Sequence, residues 1–336
     1  MRRRDVCLGL VAMPALIRSA MGQEVSRVAL VKQHGLPYLP LMVMEQFKLV
    51  EKHAARLGVP SLAVQYTTLG GTASLVEALL SGQMNFGVTG VPGLATLWDK
   101  TAGTIREVRA LAAVQAMPFM LIANNPAVNS IRDLTAKDKI AVPAVKVSAQ
   151  AVCLQMAAAK EWGSDQYARL DPLTITLPHP DATVAIVSKL LEVTAHYAVA
   201  PYYQYELTVP GIRQILKSYD TFGGQVTNGV MIMLKSFGDS NRKTSEAVFA
   251  ALDEANNRIR MDPKAAAQVY MTATNEKRNN LDEVALMVSD PDNVWTTTPI
   301  NSMKYLEFMH RVGTVKNLPI SWKEMYMPQT QALAGS

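Results

Sequence analysis

One continuous stretch, Gly70 to Pro92, constrains the fold of this chain more than any other. Two glycines give a flexible turn, Thr72 is a good N-cap, and leucines then recur on one helical stripe until Gly82 ends the helix. The apolar segment Met84 to Val88 is typical of a strand that is covered on both faces. This order predicts an α/β unit whose helix start and strand end lie on the same rim of a sheet.

A second copy of this unit is found about a hundred residues later. Residues 72–88 align without gaps with residues 183–199, so that Phe86 matches Tyr197 and Val88 matches Val199. Such a repeat indicates two related lobes, although any amphipathic helix followed by a strand would align similarly.

The segments before this unit also alternate between strand and helix. Val28 to Val31 predicts a strand, residues 39–58 predict one amphipathic helix that Gly58 ends, and Leu62 to Tyr66 predicts the next strand. This order predicts a parallel sheet flanked by helices, with ligands bound beyond the carboxyl ends of the strands.

Two apolar stretches are long enough to carry the chain between lobes. One surrounds Met117, and the other runs from Thr221 to Leu234. They divide the chain into a leader (1–22), a first lobe (23–117 and 222–336) and a second lobe (118–221). Helical patterns dominate after Asn241, and we expect this tail to pack across the first lobe.

The first 22 residues have the pattern of an export signal. Three arginines follow Met1, an apolar segment runs from Val6 to Ile17, and Ala20-Met21-Gly22 is a small-x-small cleavage site. We expect a periplasmic protein cleaved near Gly22, by either the general or the twin-arginine route. Without the leader the net charge falls from +5 to about +2, which gives little support for binding nucleic acid, and nothing later is apolar enough for stable membrane insertion.

Motifs that would indicate catalysis are lacking in the sequence. It contains no GxSxG, HExxH, P-loop or GxGxxG pattern, and its five histidines show no metal-ligand spacing. Cys153 is the only cysteine after the leader, so we predict no cysteine metal cluster. We therefore predict no catalytic residues, no metal and no cofactor.

Helix starts preceded by small or flexible residues recur after predicted strands, at Thr72, Gly90, Ser148 and Asp181. Unpaired N–H groups and the positive end of the helix dipole suit a small anion, and Lys146 would add a formal charge. Ordinary helix capping is the better explanation of any single one of these sites. Their joint meaning depends on whether they converge in space.

The order and spacing of five segments closely resemble one protein family. These segments are HGLPYLPLMVMEQFKLVEKHA, LGGTASLVEALLSGQMNFGVTGVPG, KIAVPAVKVSAQAV, LPHPDAT and APYYQYEL. They resemble the nitrate/taurine/alkanesulfonate-type periplasmic solute-binding proteins of ABC importers, a superfamily that also contains thiamine-pyrimidine synthase-like proteins. The resemblance implies a type II two-lobe fold, each lobe a mostly parallel sheet flanked by helices, with two crossover strands and one ligand cleft.

Carried over by position, the resemblance also implies which residues line that cleft. They are His34, Leu36, Pro37, Gly71, Thr72, Thr89, Gly90, Lys146, Ser148, Gln150, His179, Asp181, Pro201 and Tyr202. Met117 is added because it stands beside a predicted crossing. The family often has glycine in place of Lys146 and a serine-rich cradle in place of Gly71-Thr72-Ala73, which puts nitrate or sulfonate specificity in doubt.

The function that the resemblance implies is capture of a small organic anion, such as a sulfonate or carboxylate, by hinge closure. The partners would be that ligand, an ABC permease and its ATPase subunit, and we expect a monomer. Two alternatives stay open, an enzyme like the pyrimidine synthases and a binding protein that reports to a signalling partner. The synthase branch typically carries a cysteine-rich motif, which this chain lacks after its leader.

Overall fold

The computed structural model describes residues 24–189 and 192–336. The predicted leader and its cleavage site therefore lie outside the described residues, as do Leu190 and Leu191 of the predicted repeat. The strands are β1 (Arg27–Lys32), β2 (Ala63–Thr68), β3 (Phe86–Gly90), β4 (Val108–Ala116), β5 (Met120–Ala123), β6 (Ile140–Val142), β7 (Thr174–Thr176), β8 (Ala195–Ala198), β9 (Arg213–Lys217) and β10 (Thr227–Leu234).

Helices alternate with the strands through most of the chain and dominate its last hundred residues. They are α1 (Leu39–Gln46), α2 (Leu49–Arg56), α3 (Thr72–Leu80), α4 (Val91–Thr101), α5 (Ala149–Trp162), α6 (His179–Ser188), α7 (Tyr202–Leu207), α8 (Ser218–Phe222), α9 (Lys235–Ser240), α10 (Arg242–Met261), α11 (Pro263–Thr274), α12 (Leu281–Val288), α13 (Met303–Arg311) and α14 (Pro328–Gln331).

Two five-stranded sheets organise the molecule, and they share one topology. The first has the order β2-β1-β3-β10-β4, and the second has the order β7-β6-β8-β5-β9. In each sheet the strand of the predicted repeat, β3 or β8, occupies the central place. The repeat seen in the sequence thus corresponds to the middle of each sheet, and we call the surrounding parts lobe 1 and lobe 2.

Each sheet is mixed, with a parallel and an antiparallel half. In lobe 1, β1 runs parallel to β2 and β3, whereas β10 runs antiparallel to β3 and β4. In lobe 2, β6 runs parallel to β7 and β8, whereas β5 runs antiparallel to β8 and β9. The predicted βαβ order is confirmed, while β10 and β5 run in the opposite direction because the chain enters them from the other lobe.

The chain passes between the two sheets twice. Residues 117–119 connect β4 to β5, and residues 223–226 connect α8 to β10. Met117 and Phe119 are fully buried at the first passage, as the apolar sequence there predicts. The residue boundaries given above for the two lobes stay a prediction.

The predicted helix over residues 39–58 is divided in two. Lys48 adopts a left-handed conformation, with φ of 49°, between α1 and α2. The two pieces have different surroundings, since α1 is buried through most of its length whereas α2 buries only one face. The break lets each piece follow the surface against which it packs.

The helical tail packs on lobe 1 as expected, but it also reaches lobe 2. The long helix α10 lies against α1 and α2. Phe308 of α13 makes an edge-to-face contact with Tyr167, with ring centroids 6.2 Å apart, and Lys304 Nζ donates to the Phe222 carbonyl. Among the described residues, none of the helices has the length and apolar character that crossing a membrane requires.

Candidate ligand-binding site

A small cavity of about 50 Å³ lies between the lobes, at the carboxyl ends of the central strands. In lobe 1 it receives side chains or backbone from β3, β4, β10 and the segments that follow β1 and β2, and in lobe 2 from α5, α6, the loops before them and the residue after β8. The cavity is lined by Gln33, His34, Pro37, Tyr38, Gly70, Val88, Thr89, Gly90, Gln115, Pro143, Ser148, Ala149, Gln150, Pro178, His179, Val199, Asn228 and Gly229. This is the edge at which a parallel α/β topology places ligands.

The lobes touch each other beside the cavity. The Leu36 backbone N–H donates to the Ala200 carbonyl at 2.8 Å. On the other side, a Cβ added to Gly90 would lie only 2.8 Å from Ala149 Cβ, at the first residue of α5. Only glycine permits that approach, so the two lobes meet closely at this edge of the cavity.

Lobe 1 contributes side-chain amides and a hydroxyl to the wall. Gln33 Nε2, just after β1, donates to the Val88 carbonyl at 3.3 Å, which ties the first loop to the central strand. Thr89 is buried at the end of β3. Gln115 near the end of β4 and Asn228 near the start of β10 form the floor beside the two chain passages.

Lobe 2 presents the start of α5 to the cavity. Ser148 is its N-cap, and the Ser148 hydroxyl accepts from the Ala151 N–H at 3.3 Å while donating to the Ala144 carbonyl at 2.7 Å. The backbone N–H groups of Ala149 and Gln150 belong to the first turn of this 14-residue helix, where intrahelical partners do not exist. They supply donors and a positive dipole end at the cavity.

A buried chain of hydrogen bonds runs from the cavity into lobe 2. Gln150 Nε2 lies 3.3 Å from His179 Nε2, His179 Nδ1 lies 2.8 Å from His196 Nε2, and His196 Nδ1 lies 2.8 Å from Glu206 Oε1. Thr183 Oγ1 also lies 2.5 Å from Glu206 Oε1. If Glu206 is a carboxylate and both rings are neutral, His196 donates to it and His179 donates to His196. His179 Nε2 then accepts from Gln150.

The ring of His179 is held in its neutral form at physiological pH. Burial lowers the pKa of His179 well below its usual range, and the neighbouring His196 and His34 lower the pKa further. Among the described residues that line the cavity, the side chains are amide, hydroxyl, imidazole, phenol or apolar groups, and none is Lys, Arg, Asp or Glu. The described cavity wall therefore offers dipoles and no Lys, Arg, Asp or Glu side chain.

A larger outer chamber of about 450 Å³ adjoins the cavity and shares Gln33 and His34 with it. Its wall includes Tyr202 and the segment from Ala273 to Arg278, which contains the end of α11 and the loop after it. Unlike the cavity, it carries charged groups, such as Lys32, which pairs with Glu45 at 2.5 Å. The helical tail thus helps to cover the mouth of the cleft.

The structure brings together about half of the residues predicted for the site. Seven of them line the cavity, namely His34, Pro37, Thr89, Gly90, Ser148, Gln150 and His179. Tyr202 lines the outer chamber, where its ring stacks on His179 with centroids 5.5 Å apart. Gly71 follows the lining residue Gly70, and the side chain of Thr72 is outside the described part of the chain.

The other five predicted residues lie away from the cavity surface. Leu36, Met117 and Pro201 are buried in the surrounding packing, whereas Lys146 and Asp181 are exposed. The charge of Lys146 acts on Asp171, where burial raises the carboxyl pKa and Gln155 and Lys146 oppose that rise. Lys146 is thus placed beside a carboxylate of lobe 2, and it does not line the cavity.

Sequence reasoning missed five polar residues of this region. They are Gln33, Gln115, His196, Glu206 and Asn228. A signal for Gln115 and Asn228 was present, because each is a carboxamide within a mostly apolar strand, and a buried polar residue is more informative than an exposed one. The described residues include no cluster of three or more His, Cys, Asp or Glu side chains able to hold a metal ion.

Comparison with known proteins identifies similar structures but no matching family model or curated sequence. Among solved structures, it is similar to the alkanesulfonate-binding protein SsuA from Xanthomonas axonopodis pv. citri bound to MOPS, with 16% identity, a TM-score of 0.68 and coverage of 88% of this chain and 96% of that one.

Two further similar structures support the same fold. The periplasmic nitrate-binding protein NrtA from Synechocystis PCC 6803 has a TM-score of 0.69 and 14% identity, with coverage of 93% and 92%. A Candida albicans gene product that exhibits the generic periplasmic binding protein fold has a TM-score of 0.60 and 11% identity, with coverage of 89% and 92%. The predicted two-lobe periplasmic binding protein fold is confirmed.

Proposed function

We propose that this protein is the periplasmic substrate-binding component of an ABC importer and captures a small polar solute between its lobes. The observation that carries this proposal is the cavity, which takes polar groups from both lobes at the point where the lobes meet. A solute that contacts both walls favours the closed arrangement over an open one. The difference between its affinities for the closed and the open arrangement is the free energy that drives hinge closure.

The sequence predicts a small organic anion, and the first turn of α5 supports that class. The backbone N–H groups of Ala149 and Gln150 could receive a sulfonate, carboxylate or related group. The described side chains of the cavity wall add dipoles but no formal positive charge. The polar head of the solute, whether anionic or neutral, is therefore held by hydrogen bonds.

Location and partners belong to the same proposal. A leader cleaved near Gly22 would deliver the protein to the periplasm, where the closed form would be recognised by a permease and its ATPase subunit. A binding protein that reports to a signalling partner would use the same ligand contacts. That alternative would be favoured if a strain lacking this protein took up the ligand normally but lost the signalling response.

A synthase-like enzyme is less well supported by the chemistry of the chain. Cys153 is the only cysteine beyond the leader and hydrogen-bonds Tyr197 Oη, with Sγ and Oη 3.1 Å apart. Burial raises the pKa of this thiol to about 12. A neutral thiol enclosed by protein is a poor nucleophile, so a structural role suits Cys153 better.

A thermal-shift screen of the chain without its leader tests the proposal. A solute at a hundred times its dissociation constant should add roughly 2.7 kcal/mol to the free energy of unfolding. Small-angle scattering on the same samples should show that a stabilising solute keeps the molecule compact. If small acids, sulfonates, amides and heterocycles all leave the melting temperature unchanged, the proposed binding function is contradicted.

A further inference from the structure

The floor of the cavity contains two buried carboxamides with unmet hydrogen-bonding capacity. Gln115 is 1% exposed, and neither its Oε1 nor its Nε2 has a hydrogen-bond partner among the described residues. Asn228 is 7% exposed, and its Nδ2 likewise has no partner within the described chain. Both side chains line the cavity. Together they offer the cavity two NH₂ groups as donors and one carbonyl acceptor.

Such groups are costly in a folded protein unless something pairs with them. Nearly all buried polar atoms are hydrogen-bonded, and an unpaired one costs roughly 1–3 kcal/mol. Gln33 and Gln150, the other two carboxamides of the wall, do have protein partners. Buried unpaired polar atoms also occur elsewhere in the described chain, but Gln115 and Asn228 are the unpaired carboxamides that line the cavity, where a bound solute can reach them.

The local backbone is shaped to hold these two side chains in place. The pairing of β10 with β4 shifts register on both sides of Gly229, which pairs with Gln115 and leaves Asn228 in a bulge. Bulges of this kind redirect a side chain and are common beside functional sites. A Cβ on Gly229 would lie 2.9 Å from Gln115 Nε2, so glycine at this position makes room for the Gln115 amide.

We infer that the buried head group of the solute carries a hydrogen-bond donor next to an acceptor, as in a carboxamide, a urea or a cyclic amide. This inference rests on the proposed function and narrows its ligand class. A fully deprotonated anion offers acceptors only, so it would satisfy the two amide NH₂ groups but place its lone pairs against Gln115 Oε1. A neutral donor–acceptor group satisfies all three atoms.

Charge and size agree with a small neutral head group. The described residues of the cavity wall carry no formal charge that would balance an anion. The cavity of about 50 Å³ has room for roughly four water-sized atoms, which matches an amide or urea group. Larger substituents would extend past Gln33 and His34 into the outer chamber.

Small probes separate the two ligand classes. We would record melting temperatures in concentration series of acetamide, urea and 2-pyrrolidone, and of sodium acetate, methanesulfonate and nitrate. The inference predicts that at least one neutral amide raises the melting temperature and that the anions do not. Stabilisation by anions alone would overturn the inference and leave the proposed function intact. Stabilisation by no probe would overturn the inference, and the wider solute screen described above would then decide the proposed function.

The variant Gln115→Met sharpens the test because it keeps the length of the side chain but removes both hydrogen-bonding atoms. It should abolish the shift caused by the amide probe while the protein alone melts at or above the temperature of the original chain, because an unpaired buried amide is gone. Gln204→Met is the matched control. Gln204 has a buried unpaired Oε1 on α7 but does not line the cavity, so its replacement should keep the amide shift.

Loss of the probe shift in both variants, or its retention in Gln115→Met, would contradict the assignment. If Gln115→Met does not fold, the side-chain NH₂ resonances of Gln115 and Asn228 in the unaltered protein give a second measurement. The inference predicts that acetamide or urea moves both resonances. Unchanged resonances at probe concentrations that raise the melting temperature would overturn it.

Discussion

The two walls of the cavity satisfy their polar groups in different ways. In lobe 2, His179, His196 and Glu206 form a connected chain of hydrogen bonds, with only Glu206 Oε2 unpaired in the described residues. In lobe 1, the floor carboxamides Gln115 and Asn228 are largely unpaired. The comparison indicates that the lobe 2 wall is preorganised by the protein itself, whereas the lobe 1 floor is completed by the solute.

The comparison predicts opposite consequences for mutation. A change in the lobe 2 chain should cost stability whether or not a solute is bound, because the chain is buried and internally paired. A change in the lobe 1 floor should cost binding and not stability. The predictions below test this division, beginning with the largest expected effect.

Glu206→Ala should destabilise the protein most. The side chain is fully buried, and its removal leaves His196 Nδ1 and the Thr183 hydroxyl without their shared acceptor. Leaving a buried donor without its acceptor typically costs about 1–3 kcal/mol, and the cavity left by the side chain adds to this cost, which urea denaturation would measure. Glu192→Ala at an exposed position is the control and should change stability by less than about 0.5 kcal/mol. A loss below about 1 kcal/mol for Glu206→Ala would contradict the preorganised chain.

Gly90→Ala should weaken solute binding by preventing closure. The added Cβ would lie 2.8 Å from Ala149 Cβ, and neither group can rotate away. We expect a loss of about 1–3 kcal/mol of binding free energy, the usual cost of overpacking, measured by titration calorimetry with the best solute of the screen.

The double variant Gly90→Ala with Ala149→Gly restores the space and should recover most of that binding. Ala149→Gly alone is the control, and it should bind normally with a loss of stability of at most about 1 kcal/mol. Normal affinity in Gly90→Ala, or no recovery in the double variant, would show that closure at this contact does not govern binding.

Acid should destabilise the protein through His179. The unfolded chain takes up a proton near pH 6.5, whereas the folded protein does so only at a much lower pH because burial lowers the pKa of His179. The contribution of neutral His179 to the free energy of unfolding is therefore complete above pH 6.5. Below pH 6.5 this contribution falls by up to about 1.4 kcal/mol per pH unit, until the pKa of His179 in the folded protein is reached. Denaturation between pH 5 and pH 8 would measure this slope.

His179→Gln should reduce the fall in the free energy of unfolding between pH 8 and pH 5. His310→Gln, at an exposed position, should leave this pH dependence unchanged. An identical pH dependence of stability in the original protein and both variants would mean that other groups cause the acid sensitivity. The same experiments would then no longer support a neutral His179 in the cavity wall.

Lys146→Ala is expected to have the smallest effect. The sequence alone predicts a loss of at least about 1 kcal/mol for an anionic ligand, the value of one charge-assisted hydrogen bond. The structure places Lys146 on the surface near Asp171, so we now expect a change in binding of less than about 0.5 kcal/mol. A tenfold loss of affinity would show that Lys146 reaches the solute.

The fold could be predicted from the sequence because its signals are local. The central strands could be located from hydrophobic periodicity, turn residues and the repeat of residues 72–88 at 183–199. Both chain passages could be located from the apolar stretches around them. The break at Lys48 was missed because a left-handed lysine has no signature in composition. The reversed direction of β5 and β10 depends on which lobe the chain comes from, which local patterns do not encode.

The site was predicted less completely for a related reason. Helix starts such as Ser148 and loop residues such as His34 follow strands and could be placed on the ligand edge. Gln115 and Asn228 come from strands far apart in sequence and face the cavity only because β4 pairs with β10 around a bulge at the floor. Lys146 was favoured for its charge, but its direction depends on a left-handed backbone with φ of 63°.

The central claim, that the lobes close on a shared solute, is tested most directly by a distance across the cleft. Ser74 and Lys146 are exposed, and nearby Gly71 and Pro143 face each other so closely that a Cβ on Gly71 would lie 3.8 Å from the Pro143 carbonyl. Spin labels at positions 74 and 146 would report the separation by pulsed electron resonance. We predict a shorter, narrower distance distribution when a stabilising solute is added, whereas an unchanged distribution at saturating solute would contradict the claim.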